Sequence, residues 1–170
     1  MLKKNIEKAL NEQINAEMYS AYLYLSMASY FDAEGLDGFA SWMRVQFQEE
    51  QFHALKFYHY VNERGGRVRL KPIDGPGTDW KSAAHVFEET LKHEQLVTSL
   101  ISKLVDLARK ESDHATDNFL QWFVAEQVEE EATADSILSK VKRVGDKGNG
   151  IYMLDKELGA RVFTPPAEEE

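Results

Sequence analysis

Four long segments of the chain repeat apolar residues at alternating spacings of three and four, the period of an amphipathic α-helix. The inward-facing positions of the first segment are Leu10, Ile14, Glu17, Ala21, Tyr24, Ala28 and Phe31. The same period runs through residues 40–61, 84–108 and 120–144. Glycine and proline are scarce and cluster between the segments, at residues 65–66, 74–77 and 145–150. The pattern therefore predicts an all-α four-helix bundle.

The lengths of the connections predict how these helices run. The turns near residues 32–36 and 112–113 are short enough to join only antiparallel neighbours. Residues 65–79 could stretch to about 50 Å, which exceeds a second helix about 42 Å long. We therefore expect a long crossover between parallel helices two and three. Val68, Leu70 and Ile73 alternate along it and predict an extended strap lying on the bundle.

The end of the chain predicts one further short element. After the glycines of residues 145–150, the stretch IYMLDKEL predicts a fifth helix over about residues 151–158, too short to be stable alone. Residues 164–170 predict an exposed acidic tail. We expect a single domain over residues 1–170, with the bundle over about residues 5–144.

A polar residue interrupts every inward face at a comparable depth. These residues are Glu17, Glu50, Glu94 and Gln127. Because neighbouring helices run in opposite directions, residues near the helix midpoints should meet at one level of the bundle. His53 and Glu130 follow one turn later on the same faces. Taken singly, a glutamate here could reflect a misplaced register and His53 a hydrogen-bonded core histidine, but the joint pattern favours a metal site.

Charge favours the same interpretation. Buried carboxylates cost several kcal/mol each, and the four inward faces carry no lysine or arginine to compensate them. Two divalent cations would neutralise four carboxylates, and hard oxygen ligands with one imidazole suit iron or manganese. The net charge of −9 disfavours nucleic acid and anionic membranes as partners. With no cysteine and no signal-peptide pattern, the sequence predicts a cytoplasmic protein without disulfides or thiolate metal sites.

With these residues, the chain resembles ferritins, in particular the haem-free prokaryotic ferritins, from Asn5 to Glu157. The resemblance implies that the first iron is held, and bridged to the second, by Glu17, Glu50, His53 and Glu94. It implies that a weaker second position is shaped by Glu50, Glu94, Gln127 and Glu130. The stretch QVEE at residues 127–130 departs from the second Glu-x-x-His of symmetrical di-iron bundles. We therefore expect the second iron to be bound loosely and to leave.

The resemblance also implies roles for residues around the centre. It assigns a third iron position on the cavity side to Glu49, Glu126 and Glu129, although an ordinary solvated acidic face is the alternative. It assigns an auxiliary redox or supporting role to Tyr24, whereas we expect Trp122 to serve in packing.

The activity that the resemblance implies is oxidation of Fe(II) by dioxygen or hydrogen peroxide, followed by storage as hydrated ferric oxide. The store would be a homo-oligomeric shell of 24 subunits, with the fifth helix packed between subunits. Apolar side chains off the inward faces independently predict a dimer interface. They are Tyr19, Tyr22, Leu23 and Tyr30 on helix one and Val45, Phe52 and Leu55 on helix two. Asp113, His114 and Asp117 could line a cation channel or simply cap helix four.

Other classes of protein with similar helical bundles fit these residues less well. A bacterioferritin would hold haem through a methionine near the position of Phe52, so no haem is expected. Rubrerythrin needs cysteines, and the Dps-like mini-ferritins build their iron site between subunits. Another di-iron carboxylate oxidoreductase stays possible, whereas a non-catalytic bundle would have no reason to bury these carboxylates.

Overall fold

The structure, a computed structural model, describes residues 2–165. Five α-helices follow one another in this range, and it contains no strand. They are α1 (Lys4–Ala33), α2 (Asp37–Glu63), α3 (Ala83–Lys110), α4 (His114–Val144) and α5 (Asn149–Leu158). The all-α fold with a long crossover and a short fifth helix is confirmed. Of the acidic tail expected over residues 164–170, residues 166–170 lie outside the described range.

Local signals set the ends of the long helices. The Ser82 hydroxyl accepts a hydrogen bond from the backbone N–H of His85 at 3.1 Å and caps α3. The Asp113 carboxylate does the same for α4 with the N–H of Thr116, also at 3.1 Å. Gly65, just after α2, has a φ of 71°, a left-handed value that glycine adopts readily. Because Ser82 starts α3, the crossover ends later than the expected residue 79.

The two ends of the bundle show how the helices run. Arg64 follows the last residue of α2, and its Nη2 lies 3.1 Å from the carboxylate of Asp113 in the turn between α3 and α4. The C-terminal ends of α2 and α3 therefore lie together. Helices α2 and α3 run parallel, as the length of the crossover predicted, and each is antiparallel to its neighbour α1 or α4.

The crossover is held mainly by polar contacts. The buried amide of Asn11 donates to the carbonyl of Arg67 at 3.1 Å and accepts from the backbone N–H of Arg69. Val68 packs against the apolar core as expected. Leu70, however, is 75% exposed and Ile73 is 38% exposed, so the prediction of a regularly alternating strap was wrong at these two positions. The buried amide of Asn11 fixes the backbone here, so Leu70 and Ile73 need not pack on the bundle.

The apolar core consists of two clusters separated along the bundle axis. One contains Phe31, Phe39 and Phe87, and lies at the end of the bundle where α2 begins. The other contains Phe57 and Phe123, and lies toward the end where α2 finishes. Between them the helices bury polar side chains instead. These are Gln13, Glu17, Ser20, Gln46, Glu50, His53, Thr90, Glu94, Gln127 and Glu130.

Helix α5 packs against α2 and α4 of its own chain. Its buried residues are Ile151, Leu154 and Leu158. Contact with α2 is close because Gly38 has no side chain: a Cβ there would lie 1.7 Å from the carbonyl oxygen of Asp155. The Asp155 carboxylate also accepts a hydrogen bond from the N–H of Phe39 at 2.9 Å. Tyr152 and Met153 face outward and stay exposed.

The apolar stripe expected to form a dimer interface is only partly exposed. Tyr22 and Leu55 are about half exposed, at 49% and 53%. Tyr30 is partly buried, with its ring centroid 5.6 Å from that of Trp80 in the crossover. The expectation that Val45 lies on the surface was wrong, since it is buried within the single chain. Helix α2 packs against both α1 and α5, so its buried arc is broader than one inward position per turn.

Candidate metal centre

The six predicted ligands lie in the polar layer between the two apolar clusters. All six are buried, and they come from all four long helices. They are Glu17 on α1, Glu50 and His53 on α2, Glu94 on α3, and Gln127 and Glu130 on α4. Equal depth on antiparallel helices therefore brings them to one level of the bundle, as the polar positions on the inward faces predicted.

Glu17, Glu50 and His53, which we call the open group, each offer a ligand atom within 4.8 Å of the other two. His53 Nδ1 lies 3.3 Å from Glu50 Oε2. Gln13 donates to Glu17 Oε1 at 2.8 Å, but Glu17 Oε2 is buried without any hydrogen-bond partner. It is the single such side-chain atom within residues 2–165. A buried, unpaired carboxylate oxygen beside two other ligand atoms fits a bound cation.

Glu94, Gln127 and Glu130, which we call the braced group, are held by donors from the protein. The Tyr24 hydroxyl donates to Glu94 Oε1, and the amide nitrogen of Gln127 donates to Glu94 Oε2 at 3.2 Å. The amide nitrogen of Gln46 donates to Glu130 Oε2 at 3.0 Å. Each carboxylate of this group therefore already has a hydrogen bond when no cation is present.

Burial is the main electrostatic feature of the centre. It is the largest of the causes that raise the pKa of all four carboxyl groups, namely Glu17, Glu50, Glu94 and Glu130. The pKa values of Glu50 and Glu130 are raised well above the ordinary value, because neighbouring carboxylates add to the effect of burial. Within residues 2–165 no lysine or arginine pairs with any of the four. Binding of cations would therefore displace protons and relieve the repulsion.

Tyr24 on α1 is fully buried beside the centre. Burial, followed by the charges of Glu94, Glu50 and Glu130, raises the pKa of its phenol well above the ordinary value. The hydroxyl thus stays protonated and donates to Glu94. Its ring makes an edge contact with His93, at 6.2 Å between centroids.

Three functional neighbours were missed by the sequence reasoning. Gln13 and Gln46 each lie four residues before a glutamate of the open group, and both amides donate to carboxylates of the centre. An inward-facing amide one turn before each ligand was the signal that could have found them. Arg161 donates to Gln46 and Glu49, but it lies beyond α5, and no periodicity links it to the centre.

The three carboxylates predicted for a further iron, Glu49, Glu126 and Glu129, are called the third-site carboxylates below. Glu49 and Glu126 are partly buried and Glu129 is exposed. Glu126 Oε1 lies 4.0 Å from His53 Nε2. Across residues 2–165, the open group is the one set of three acidic or histidine residues whose ligand atoms gather at metal-binding distances. The structure therefore places Glu49 and Glu126 beside the centre, and it does not gather the three carboxylates at metal-binding distances.

The aromatic residues beside His53 form a packed group. The ring of Trp122 lies 5.5 Å from that of His53 and 6.1 Å from that of Phe52, between centroids. Lys56 Nζ lies over the Trp122 ring at 4.6 Å. Trp122 thus packs against a predicted ligand, and Phe52 occupies the place where a haem-binding methionine was considered.

Two of the three predicted channel residues, Asp113 and Asp117, have partners within the chain. Asp113 caps α4 and pairs with Arg64, and Asp117 lies 3.1 Å from Arg109 Nε. The alternative interpretation of Asp113 as a helix cap is therefore the one that its contacts favour. His114 is exposed at the start of α4.

A groove between α3 and α4 reaches the centre from outside. It encloses about 270 Å³ and is lined by Thr98, Val124, Gln127 and Glu131, among others. Gln127 is thus the predicted ligand of the braced group that borders this groove. Within residues 2–165, no helix has the length and apolar character needed to cross a membrane.

A buried carboxylate and histidine centre inside a four-helix bundle with this crossover defines a ferritin-like protein. The family model described as "Ferritin-like domain" matches residues 7–144. The chain therefore belongs to the ferritin family.

Known ferritins are similar to this protein along nearly the whole chain. A bacterial non-haem ferritin of Bacteroides fragilis is 48% identical over 161 residues, covering 95% of this chain and all of the relative. One of Staphylococcus aureus is 42% identical, covering 96% of this chain and 98% of the relative. A crystal structure described as a novel open pore ferritin from the archaeon Archaeoglobus fulgidus superposes with a TM-score of 0.94 at 53% identity, covering 95% and 99% of the two chains. Family and relatives support iron storage with ferroxidase activity, and hence iron binding, for this chain.

Proposed function

We propose that the six buried residues form one ferroxidase centre that takes up two Fe(II) ions per subunit as substrate. The observation that carries this proposal is the open group, whose three ligand atoms lie within 4.8 Å of one another beside the unpartnered oxygen of Glu17. Hard carboxylate oxygens with one imidazole suit iron, and they favour its ferric over its ferrous state.

The two irons are held differently in this proposal. The first is bound by the open group together with Glu94. Glu50 and Glu94 bridge to the second, which Gln127 and Glu130 complete. A neutral amide and a carboxylate already engaged by Gln46 make the second position the weaker one. Iron would leave the centre from there after oxidation.

The remaining chemistry follows from the surroundings of the centre. Dioxygen or hydrogen peroxide accepts the electrons of Fe(II), and the carboxyl groups release their protons as the cations bind. Tyr24 holds Glu94 in place through its hydroxyl and serves as an auxiliary residue. The two apolar clusters exclude bulk water on both sides of the polar layer. The third-site carboxylates receive iron on its way out.

Storage requires an assembly of many copies. We propose a homo-oligomeric shell of 24 subunits built from dimers, with ferric oxide inside. The exposed Tyr22 and Leu55 support an interface on the outer sides of α1 and α2. Phe52, packed against Trp122, leaves no methionine for haem, so the protein would work without it. The cytoplasm is the compartment that fits a cysteine-free iron store.

Ferroxidase rates of the wild type, Glu50→Ala and His53→Ala test this proposal under matched iron. Both variants should oxidise Fe(II) far more slowly. Glu89→Ala, which removes a partly exposed glutamate of α3 that is not one of the predicted ligands, is the matched control and should keep the wild-type rate. Light scattering should give the same particle mass for all four proteins. Wild-type rates in both centre variants would overturn the site.

A further inference from the structure

The segment after α5, residues 159–163, lies along α2 and is called the C-terminal arm. Its Arg161 stacks on Trp42, with the guanidinium carbon 4.6 Å from the ring centre. Arg161 Nη2 donates to Glu49 Oε2 at 2.5 Å, and Nη1 donates to the amide oxygen of Gln46. Trp42, Gln46 and Glu49 follow one another on one face of the helix. One arginine therefore engages three successive turns of α2.

These contacts connect Arg161 to the centre through Gln46. The Gln46 side chain is fully buried, and its amide nitrogen donates to Glu130 Oε2 at 3.0 Å. An amide can offer either its oxygen or its nitrogen in one direction. Because Arg161 takes the oxygen, the nitrogen must point at Glu130. One oxygen of Glu130 is thereby engaged, which leaves the other for a cation.

The second contact of Arg161 is with Glu49, one of the third-site carboxylates. Glu49 is the member of the third-site carboxylates that directly precedes the ligand Glu50 in sequence. Its carboxylate is paired with the guanidinium of Arg161, whose side chain is only 26% exposed. A divalent cation that binds Glu49 must either displace the guanidinium of Arg161 or lie close to its positive charge. In both cases the cation is bound more weakly.

We propose that Arg161 is a positioning residue with two effects on iron. It orients Gln46 onto Glu130 at the second position, and it keeps Glu49 a weak ligand, so that oxidised iron passes the third-site carboxylates without being trapped. This inference rests on the ferroxidase centre proposed above. The C-terminal arm thus sets how firmly iron is held after oxidation.

Anaerobic calorimetric titration of the metal-free shell with Fe(II) tests the proposal, using the full-length chain. In Arg161→Ala the weakest class of sites should bind Fe(II) about tenfold more tightly, equivalent to about 1.4 kcal/mol, because Glu49 loses its competing charge. The second position should bind several-fold more weakly, because Gln46 can turn. A merely structural loss would weaken every class of site and tighten none.

Two further variants separate these effects. Arg161→Lys keeps the positive charge beside Glu49 but cannot fork to Gln46 as well, so the second position alone should weaken. It also keeps the proposal testable if Arg161→Ala assembles poorly. Lys140→Ala is the matched control, because it removes one positive charge and the exposed ion pair with Glu157 near α5. Its three classes of sites should match the wild type.

Two results would overturn the inference. Suppose that the wild type shows its two buried sites, but that the weakest sites of Arg161→Ala bind Fe(II) no more tightly than those of the wild type. This result rejects the role of Arg161 and leaves the ferroxidase centre standing. If the wild type binds no more Fe(II) at its strong sites than Glu50→Ala does, the centre itself is wrong and the inference falls with it.

Discussion

The open group and the braced group face each other across the same polar layer, yet the protein treats them oppositely. In the open group, three ligand atoms gather and one carboxylate oxygen has no hydrogen-bond partner. In the braced group, Tyr24, Gln127 and Gln46 each donate to a carboxylate. One carboxylate oxygen of the open group thus lacks a partner that a cation could supply, whereas the carboxylates of the braced group already have hydrogen bonds.

The physical reason is the cost of burying an unsatisfied charge. A carboxylate without partners in an apolar interior is strongly disfavoured, whereas one that accepts hydrogen bonds is tolerated. The open group therefore gains most from a bound cation. The braced group gains less, and in the proposed centre this difference would favour retention of one iron and release of the other.

Exchanging one carboxylate in each group for alanine should give the largest effect. We expect Glu50→Ala to slow oxidation about a hundredfold, because the bridging position of both irons is lost. Glu130→Ala should keep the stronger Fe(II) site and lose the weaker one. Stopped-flow oxidation and anaerobic binding stoichiometry measure both. Equal loss of both sites in the two variants would remove the distinction between the groups.

A smaller effect is expected when a brace is removed without touching a carboxylate. Tyr24→Phe keeps the buried ring but takes the hydroxyl from Glu94, and should slow oxidation about tenfold through loss of a supporting hydrogen bond. The strong Fe(II) site should bind as before. Tyr22→Phe changes an exposed tyrosine of the same helix and serves as the control. An unchanged rate in Tyr24→Phe would show that this brace has no part in catalysis.

The single donor to the open group should matter less. Gln13→Leu removes the hydrogen bond to Glu17, and we expect the strong Fe(II) site to weaken about fivefold, the value of one ordinary hydrogen bond. The weaker site should keep its affinity. Calorimetric titration resolves the two classes of sites. Loss of the weaker site instead would mean that Gln13 does not act on the open group.

The smallest expected effect is on stability. The folded-state pKa values of Glu50 and Glu130 lie above the ordinary value of 4.5, so the folded metal-free protein binds more protons than the unfolded chain. Their contribution is fully present below pH 4.5 and is lost as the pH rises through the raised values. The unfolding temperature of the metal-free shell should therefore fall by about a few degrees toward pH 8 relative to Glu50→Gln.

Burial lowers the pKa of His93 to about 4, so this histidine also makes stability depend on pH. Because His93 is present in both the wild type and Glu50→Gln, comparing the two separates the contribution of the carboxyl groups from that of His93. The neutral His93 contributes stability above pH 6.5 that is lost as the pH falls through about 4, which is the opposite trend. Calorimetric scans at several pH values provide the measurement. Identical slopes for the wild type and Glu50→Gln would contradict the protonation of this site.

Periodicity predicted most of the fold, and equal depth on antiparallel helices predicted which residues would share one buried layer. Sequence could not predict that Glu17 would be left with a free oxygen while Glu130 was braced, because this depends on which neighbouring amide reaches which carboxylate. Arg161 was beyond reach for another reason. Its position depends on α5 packing closely at Gly38, a tertiary contact without any local pattern.

The division of the apolar core into two clusters has a consequence for the whole subunit. Neither cluster extends across the polar layer, so in the metal-free protein the middle of the bundle is its least cohesive part. Iron bound at the proposed centre should join the two halves, and amide hydrogen exchange near residues 50 and 94 should then slow. Iron would thus stabilise the subunit for as long as it is bound.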